Sequence, residues 1–201
     1  MDVFSNSNSR FSIVNHRLVG GGVIHLVCEK NRRTLGAPEM IILHYTAGRD
    51  AMSSAKFLVR PEVKASTHLV IGRDGQVIQL VPFNIEAWHA GKSSYKGRSE
   101  LNHYSIGIEL DNLGQLQLEG GKFVAECGKE VPVKEVYSED SGEMPTYWHD
   151  YTDEQMRVLN EVRGLLVDTY PIGDIVGHSD VTPRKVDPGP ALRVAEWIRY
   201  Y

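Results

Sequence analysis

Along this chain, short apolar runs alternate with stretches whose apolar residues recur at helical spacing. Met40 to Tyr45 (MIILHY) is a nearly continuous apolar run rich in β-formers and short enough for a buried strand. From Asp50 to Arg60 (DAMSSAKFLVR) the spacing predicts a helix, with Ala55, Leu58 and Val59 on one face and Asp50 or Ser53 as the cap. Thr67 to Ile71 and Gln76 to Val81 predict two strands around Arg73-Asp74-Gly75, since Asp-Gly favours a tight turn. Tyr104 to Leu110 (YSIGIEL) predicts another strand, and Gly107 at its centre implies close packing there.

The clearest helix is Thr152 to Asp168. Thr152 and Gln155 form a capping box, Met156, Leu159, Val162 and Leu166 share a face, and Pro171 ends the segment. A short strand, Asp174 to Val176, leads into Gly177-His178. Pro190 suits a first helical position, with Leu192, Ala195 and Ile198 giving a last helix its inward face. Strands and helices thus alternate, with one hairpin among them. The expected fold is α/β: a single domain with a mixed central sheet flanked by helices. Residues 112–151 are the least regular, with a hairpin at Gly120-Gly121 and an acidic loop from Ser138 to Pro145. Residues 1–38 read as an N-terminal extension packed on the domain.

Composition narrows the class. With 201 residues, 41% hydrophobic and 24% charged, the chain can bury a sizeable core. A formal net charge of −4 gives no basic stripe for nucleic acid, and no segment has the apolar length of a membrane span. The basic cluster Lys30-Asn31-Arg32-Arg33 reads as a solvated surface turn. Met1 to Asn15 is polar and lacks the basic and apolar regions of a secretory signal, so the protein is expected in the cytoplasm; separately, a monomer is expected. Cys28 and Cys127 read as two free, inert thiols.

Two of the eight histidines stand apart by context. His44 ends the run MIILHY, and His178 directly follows DIVG. Strand ends in α/β folds open onto the crevice where ligands collect. Asp187 lies nine residues beyond His178, in TPRKVDPGP, where three prolines and a glycine stiffen the backbone. Two imidazoles and one carboxylate, with a position left for water, form a catalytic zinc set, although the same donors also suit iron(II). A core histidine and a turn aspartate are the alternative. Glu109 lies among apolar neighbours, where an ionised carboxylate is costly unless paired or employed. It could take a proton from water at the metal, and Lys185 could stabilise an oxyanion. A surface-facing glutamate and a solvated lysine remain the alternative for that pair.

Three segments carry a family resemblance: LHYTAG at 43–48, AWHAGKSSYKGRSELNHYSIGIELDN at 87–112 and GHSDVTPRKVDPGP at 177–190. From Pro38 to Leu192 the chain resembles the N-acetylmuramoyl-L-alanine amidases, zinc enzymes related to peptidoglycan-recognition proteins. Within that family it looks most like the cytoplasmic amidases of anhydro-muropeptides. The resemblance implies an amidase domain over 39–201, interrupted by the irregular insertion at 112–151. It implies one zinc ion held by His44, His178 and Asp187, with Glu109 as general base and Lys185 on the tetrahedral intermediate. His89, Trp88 and Tyr45 are expected to contact substrate. His68 is expected to be structural, and His16, His25, His103 and His149 match nothing functional.

The activity so implied is zinc-dependent cleavage between N-acetylmuramic acid and L-alanine in peptidoglycan fragments, in cell-wall recycling. A phage-type lytic amidase acting on intact wall is one alternative. A non-catalytic peptidoglycan-recognition module is the other, although such modules commonly lose the third zinc ligand, and Asp187 is present here. Departures from the family pattern are the long stretch between Glu109 and His178 and a spacer to Asp187 shorter by one residue. Glu100 also stands where an arginine that reads the peptide's distal carboxylate is expected.

Overall fold

The computed structural model describes residues 9–193, apart from 32, 141 and 143. The chain opens with a hairpin, β1 (Phe11–Val14) and β2 (Arg17–Gly20), followed by β3 (Ile24–His25). Then come β4 (Met40–Tyr45), α1 (Ala51–Leu58), β5 (Leu69–Ile71) and β6 (Val77–Gln79). A small hairpin, β7 (Ser94–Tyr95) and β8 (Arg98–Ser99), precedes β9 (Ser105–Leu110). Five strands lie in the stretch expected to be irregular: β10 (Gln115–Glu119), β11 (Lys122–Ala125), β12 (Glu130–Val131), β13 (Val136–Glu139) and β14 (Thr146–His149). The last elements are α2 (Asp153–Thr169), β15 (Asp174–Gly177), the one-turn α3 (His178–Val181) and a 3-10 turn, Pro190–Leu192. Ala195 and Ile198, expected on a final helix, lie outside the described residues.

The central sheet has six strands in the order β15-β4-β9-β5-β6-β3. It is mixed: β15, β4, β9 and β5 run parallel, and β6 is antiparallel to β5 across the Asp-Gly turn. Strand alternation decides which side chains face which layer. Ile41 and Leu43 of β4, Leu69 and Ile71 of β5, and Ile106, Ile108 and Leu110 of β9 meet Val158, Leu159, Val162 and Leu166 of α2 in one core. Each of these, fully buried, contributes about 1.5–3 kcal/mol. Thr152 accepts from the Gln155 amide while Gln155 reaches back, so the capping box starts α2 as expected. The opposite parity puts His44, Ser105, Gly107 and Glu109 on the other face. That side is covered partly by α1, whose Ala51 and Ala55 pack with Val70 and Ile78.

The described residues between 9 and 38 are built into this architecture. Phe11 and Leu18 join the α2-side core, and β3 extends the central sheet by pairing with β6. The expected solvated turn at Lys30 is corrected by the structure. Lys30 Nζ lies within hydrogen-bonding distance of four carbonyls, those of Leu58, Arg60, Val63 and Ala65, at 2.7, 3.1, 2.6 and 2.7 Å. Asn31 is buried and donates to the Glu86 carbonyl, and Arg33 pairs with buried Glu86. A cation placed just beyond α1 also complements the negative end of the helix dipole.

Residues 115–149 form a five-stranded antiparallel sheet, order β12-β11-β10-β14-β13. Its small core is Leu113, Leu116, Ala125 and Val131, while Gln115, Gln117 and Glu119 face solvent. Ser138 and Glu139, expected in a loop, belong to β13. Both cysteines are free, Cys28 buried and Cys127 exposed. Among the described residues, no helix is long and apolar enough to cross a membrane.

Candidate metal centre and active site

Parallel pairing of β4 with β15 and β9 brings the strand ends together. Gly177 is the partner of Leu43, so His178 begins its turn beside His44, and His44 itself is the partner of Glu109. Asp187 returns to this point because its carbonyl accepts from the Ser179 amide at 2.9 Å. Tyr151, partly buried beneath, donates to the Pro188 carbonyl at 2.8 Å. No motif marked Tyr151 in the sequence; it merely precedes the cap of α2.

Three atoms converge. His44 Nδ1 lies 3.1 Å from His178 Nδ1 and 3.0 Å from Asp187 Oδ2, and His178 Nδ1 lies 2.9 Å from the same oxygen. All three residues are buried, and together they could hold a metal ion. Burial opposes ionisation of Asp187, but the two imidazoles outweigh it and hold its carboxyl well below the usual carboxylate range. Burial also lowers the His44 pKa, against the pull of Asp187. An anionic oxygen beside an uncharged imidazole is the donor chemistry of a metal site.

Glu109 is part-exposed as a residue, but its Oε2 is buried and has no hydrogen-bond partner among the described residues. Burial, reinforced by the charge of Asp187 and opposed by Lys185, pushes its carboxyl well above the ordinary range. It borders a cavity of about 260 Å³ with Thr46, Gly48, Ser53, Phe57 and Leu58. Lys185 is exposed and lines a separate cleft of about 640 Å³. That cleft runs between Tyr137, Glu139 and Trp148 of the five-stranded sheet and the Ser179–Pro190 segment.

The residues expected to touch substrate divide. Trp88 is 38% exposed and free to pack on a ligand. Tyr45 is half-buried against Gly114, and burial, with the charges of Asp187 and Glu126, pushes its hydroxyl up to about 12. His89 is different: its ring is buried and both of its nitrogens are engaged inside the protein, Nδ1 with His44 and Nε2 with Ser105. His68 is buried as a structural residue. Its Nδ1 accepts from the Gly107 amide, its Nε2 contacts the Ile85 carbonyl, and burial pushes it down to about 4.

A two-histidine, one-carboxylate cluster at parallel strand ends, with Glu109 alongside, is a donor set that could hold a catalytic metal ion. The chain belongs to the N-acetylmuramoyl-L-alanine amidase family, whose model matches residues 34–190. It is 33% identical over 159 residues to the 1,6-anhydro-N-acetylmuramyl-L-alanine amidase AmpD of Escherichia coli (strain K12), an alignment covering 78% of this chain and 67% of that one. The crystal structure of a selenomethionine AmpD derivative superposes with a TM-score of 0.63 at 26% identity, covering 93% of this chain and 97% of the other. AmiD from E. coli, solved with anhydro-N-acetylmuramic acid-L-Ala-D-γ-Glu-L-Lys, gives a TM-score of 0.60 at 25% identity, over 93% of this chain and 65% of that one. This chain spans about two thirds, or less, of the length of the curated relatives it matches.

Proposed function

We propose that this chain hydrolyses the amide bond between N-acetylmuramic acid and L-alanine in soluble anhydro-muropeptides, the fragments handled in cell-wall recycling. We further propose that it does so as a monomer holding one zinc ion through His44, His178 and Asp187. The observation that carries this reading is the convergence of those three donors beside Glu109, whose buried Oε2 has no hydrogen-bond partner among the described residues. All three donors belong to the same chain, so the trio is complete without a partner. Donors of a tetrahedral zinc lie about 3.3 Å apart, given bonds of about 2.0–2.1 Å. The three observed separations need open only by a few tenths of an ångström, so the residues fit zinc.

When bound there, zinc supplies Lewis acidity toward water and toward the scissile carbonyl. Glu109 takes the proton of the attacking water on its carboxylate. Burial raises its pKa, which strengthens it as a base, and a cation held by the trio would favour its ionised form. The same carboxyl then gives the proton to the L-alanine nitrogen as the amide breaks. Lys185 brings positive charge to the carbonyl oxygen as negative charge develops there. Trp88 offers an exposed indole to sugar or peptide, and Tyr45 shapes the mouth of the site beside Asp187.

The relatives named for the 1,6-anhydro sugar support soluble fragments over intact wall as the substrate. The test sets soluble anhydro-muropeptides against purified sacculi under the same conditions. Faster release of peptide from the soluble fragments is expected; release confined to sacculi would assign the chain to wall lysis instead.

A further inference from the structure

His89 was expected to face substrate, yet it stands behind His44 in a chain of hydrogen bonds. Ser105 Oγ lies 2.6 Å from the Leu101 carbonyl, and that carbonyl can only accept. The single hydroxyl proton of Ser105 is therefore committed, which leaves its lone pairs for His89 Nε2 at 3.2 Å. His89 thus carries a proton on Nε2. Its ring partners among the described residues are Ser105 and His44, and a neutral imidazole has a single N–H, which here faces the Ser105 oxygen. Nδ1 is then a bare acceptor, and it lies 3.1 Å from His44 Nε2. The polarity of the chain runs one way, from His44 through His89 and Ser105 to Leu101.

We propose that His89 is a positioning residue: by accepting the Nε2 proton of His44, it fixes the His44 tautomer and turns the Nδ1 lone pair toward His178 and Asp187. Without that acceptor, the His44 proton can move to Nδ1, where Asp187 Oδ2 stands ready at 3.0 Å and would hold it in the place a metal needs. Metal-binding histidines commonly owe their tautomer to the partner of their other nitrogen, and loss of that partner costs about 10–100-fold in metal affinity. Here the partner is a second imidazole locked by a serine and a backbone carbonyl. The backbone is shaped for it as well: a Cβ at Gly107 would come 2.4 Å from His89 Cγ, so the ring lies directly on the strand. His178 shows the contrast, since its Nε2 is buried with no hydrogen-bond partner among the described residues. One imidazole of the pair is held from behind, and the other is not.

This inference rests on the metal reading of the trio but not on which amide is cleaved. Zinc affinity of the full chain, measured by competition with a chelating dye, is the first readout, with folding checked by circular dichroism. H89L should bind zinc about 10–100-fold more weakly. H89N keeps an acceptor oxygen close to the position of Nδ1 and should stay within a few-fold of wild type. Zinc binding by a folded H89L as tight as wild type, or an H89N as weak as H89L, overturns the proposal. If H89L fails to fold, nitrogen-15 spectra of the zinc-loaded wild type decide. A proton on His44 Nε2 coupled through the hydrogen bond to an unprotonated His89 Nδ1 is expected, and a proton on His89 Nδ1 overturns it. Tight zinc binding that behaves in this way without muropeptide cleavage would leave the inference standing and remove the proposed activity alone.

Discussion

The Cα atoms of His44 and Glu109 are register partners across the parallel β4–β9 pair, so one ladder places the first metal donor and the buried carboxylate on the same face. Strand register is the most strongly specified feature of a half-buried sheet, because a slip of one residue turns every side chain to the other face. Ile41 and Leu43 on β4 and Ile108 and Leu110 on β9 lock that register against α2. The geometry of the site is thus enforced from the opposite side of the sheet.

Glu109 should matter to turnover without mattering to the metal. E109A is expected to keep its zinc, measured by atomic absorption, while hydrolysis falls by ~10²–10⁴-fold. Full activity in that variant would remove its role as base.

The same carboxyl should weaken the metal-free fold as pH rises. An acid whose folded pKa lies above its unfolded value of about 4.3 binds its proton more tightly in the folded state. Folding therefore bears no penalty from Glu109 below that value, and loses stability as pH climbs toward the raised folded pKa. In chelated protein, E109Q should raise the melting temperature over wild type at pH 7.5 and much less at pH 4.5. An equal gain at both values would show that Glu109 is not buried as described.

Gly107 should tolerate no side chain. Its backbone torsions are ordinary, so the objection is space alone: an added methyl would meet the His89 ring. G107A is expected to cost about 1–3 kcal/mol in urea unfolding and to weaken zinc binding with it. Wild-type stability and zinc affinity together would mean that His89 does not lie on β9.

Lys30 should prove to be a structural clasp. One ammonium has three protons for the four carbonyls around it, and it ties residues before the family-matched region to the end of α1. K30M keeps the aliphatic stem but leaves those carbonyls short of a donor, and should cost about 1–3 kcal/mol. A loss under 0.5 kcal/mol, the order of an ordinary surface change, would return Lys30 to the solvated turn that its neighbours suggest.

Much of this was legible in the chain, for definite reasons. Met40–Tyr45 and Ser105–Leu110 are buried on both faces, so their apolar runs stand out, and a histidine at the end of such a run, or a glutamate within it, is conspicuous. Of the five-stranded sheet, the hairpin at Gly120-Gly121 was legible and the remaining strands were not. Its strands are short and mostly exposed, and residues such as Gln115, Gln117 and Glu119 carry the composition of loops. Lys30 was misread because its partners lie 28 to 35 residues away and are backbone carbonyls, which no side-chain pattern reports. The position of His89 depends likewise on contacts 45 and 16 residues distant, so the motif AWHAG could mark it as important without saying why.

The central claim, a zinc-dependent muramoyl-L-alanine amidase, is tested most directly by product analysis of an anhydro-muropeptide digest. It is run with the protein as isolated, after chelation and after zinc is restored. Free peptide with an N-terminal L-alanine, lost on chelation and recovered with zinc, is the expected result. Intact muropeptide in all three samples, from protein shown to bind zinc, would contradict it.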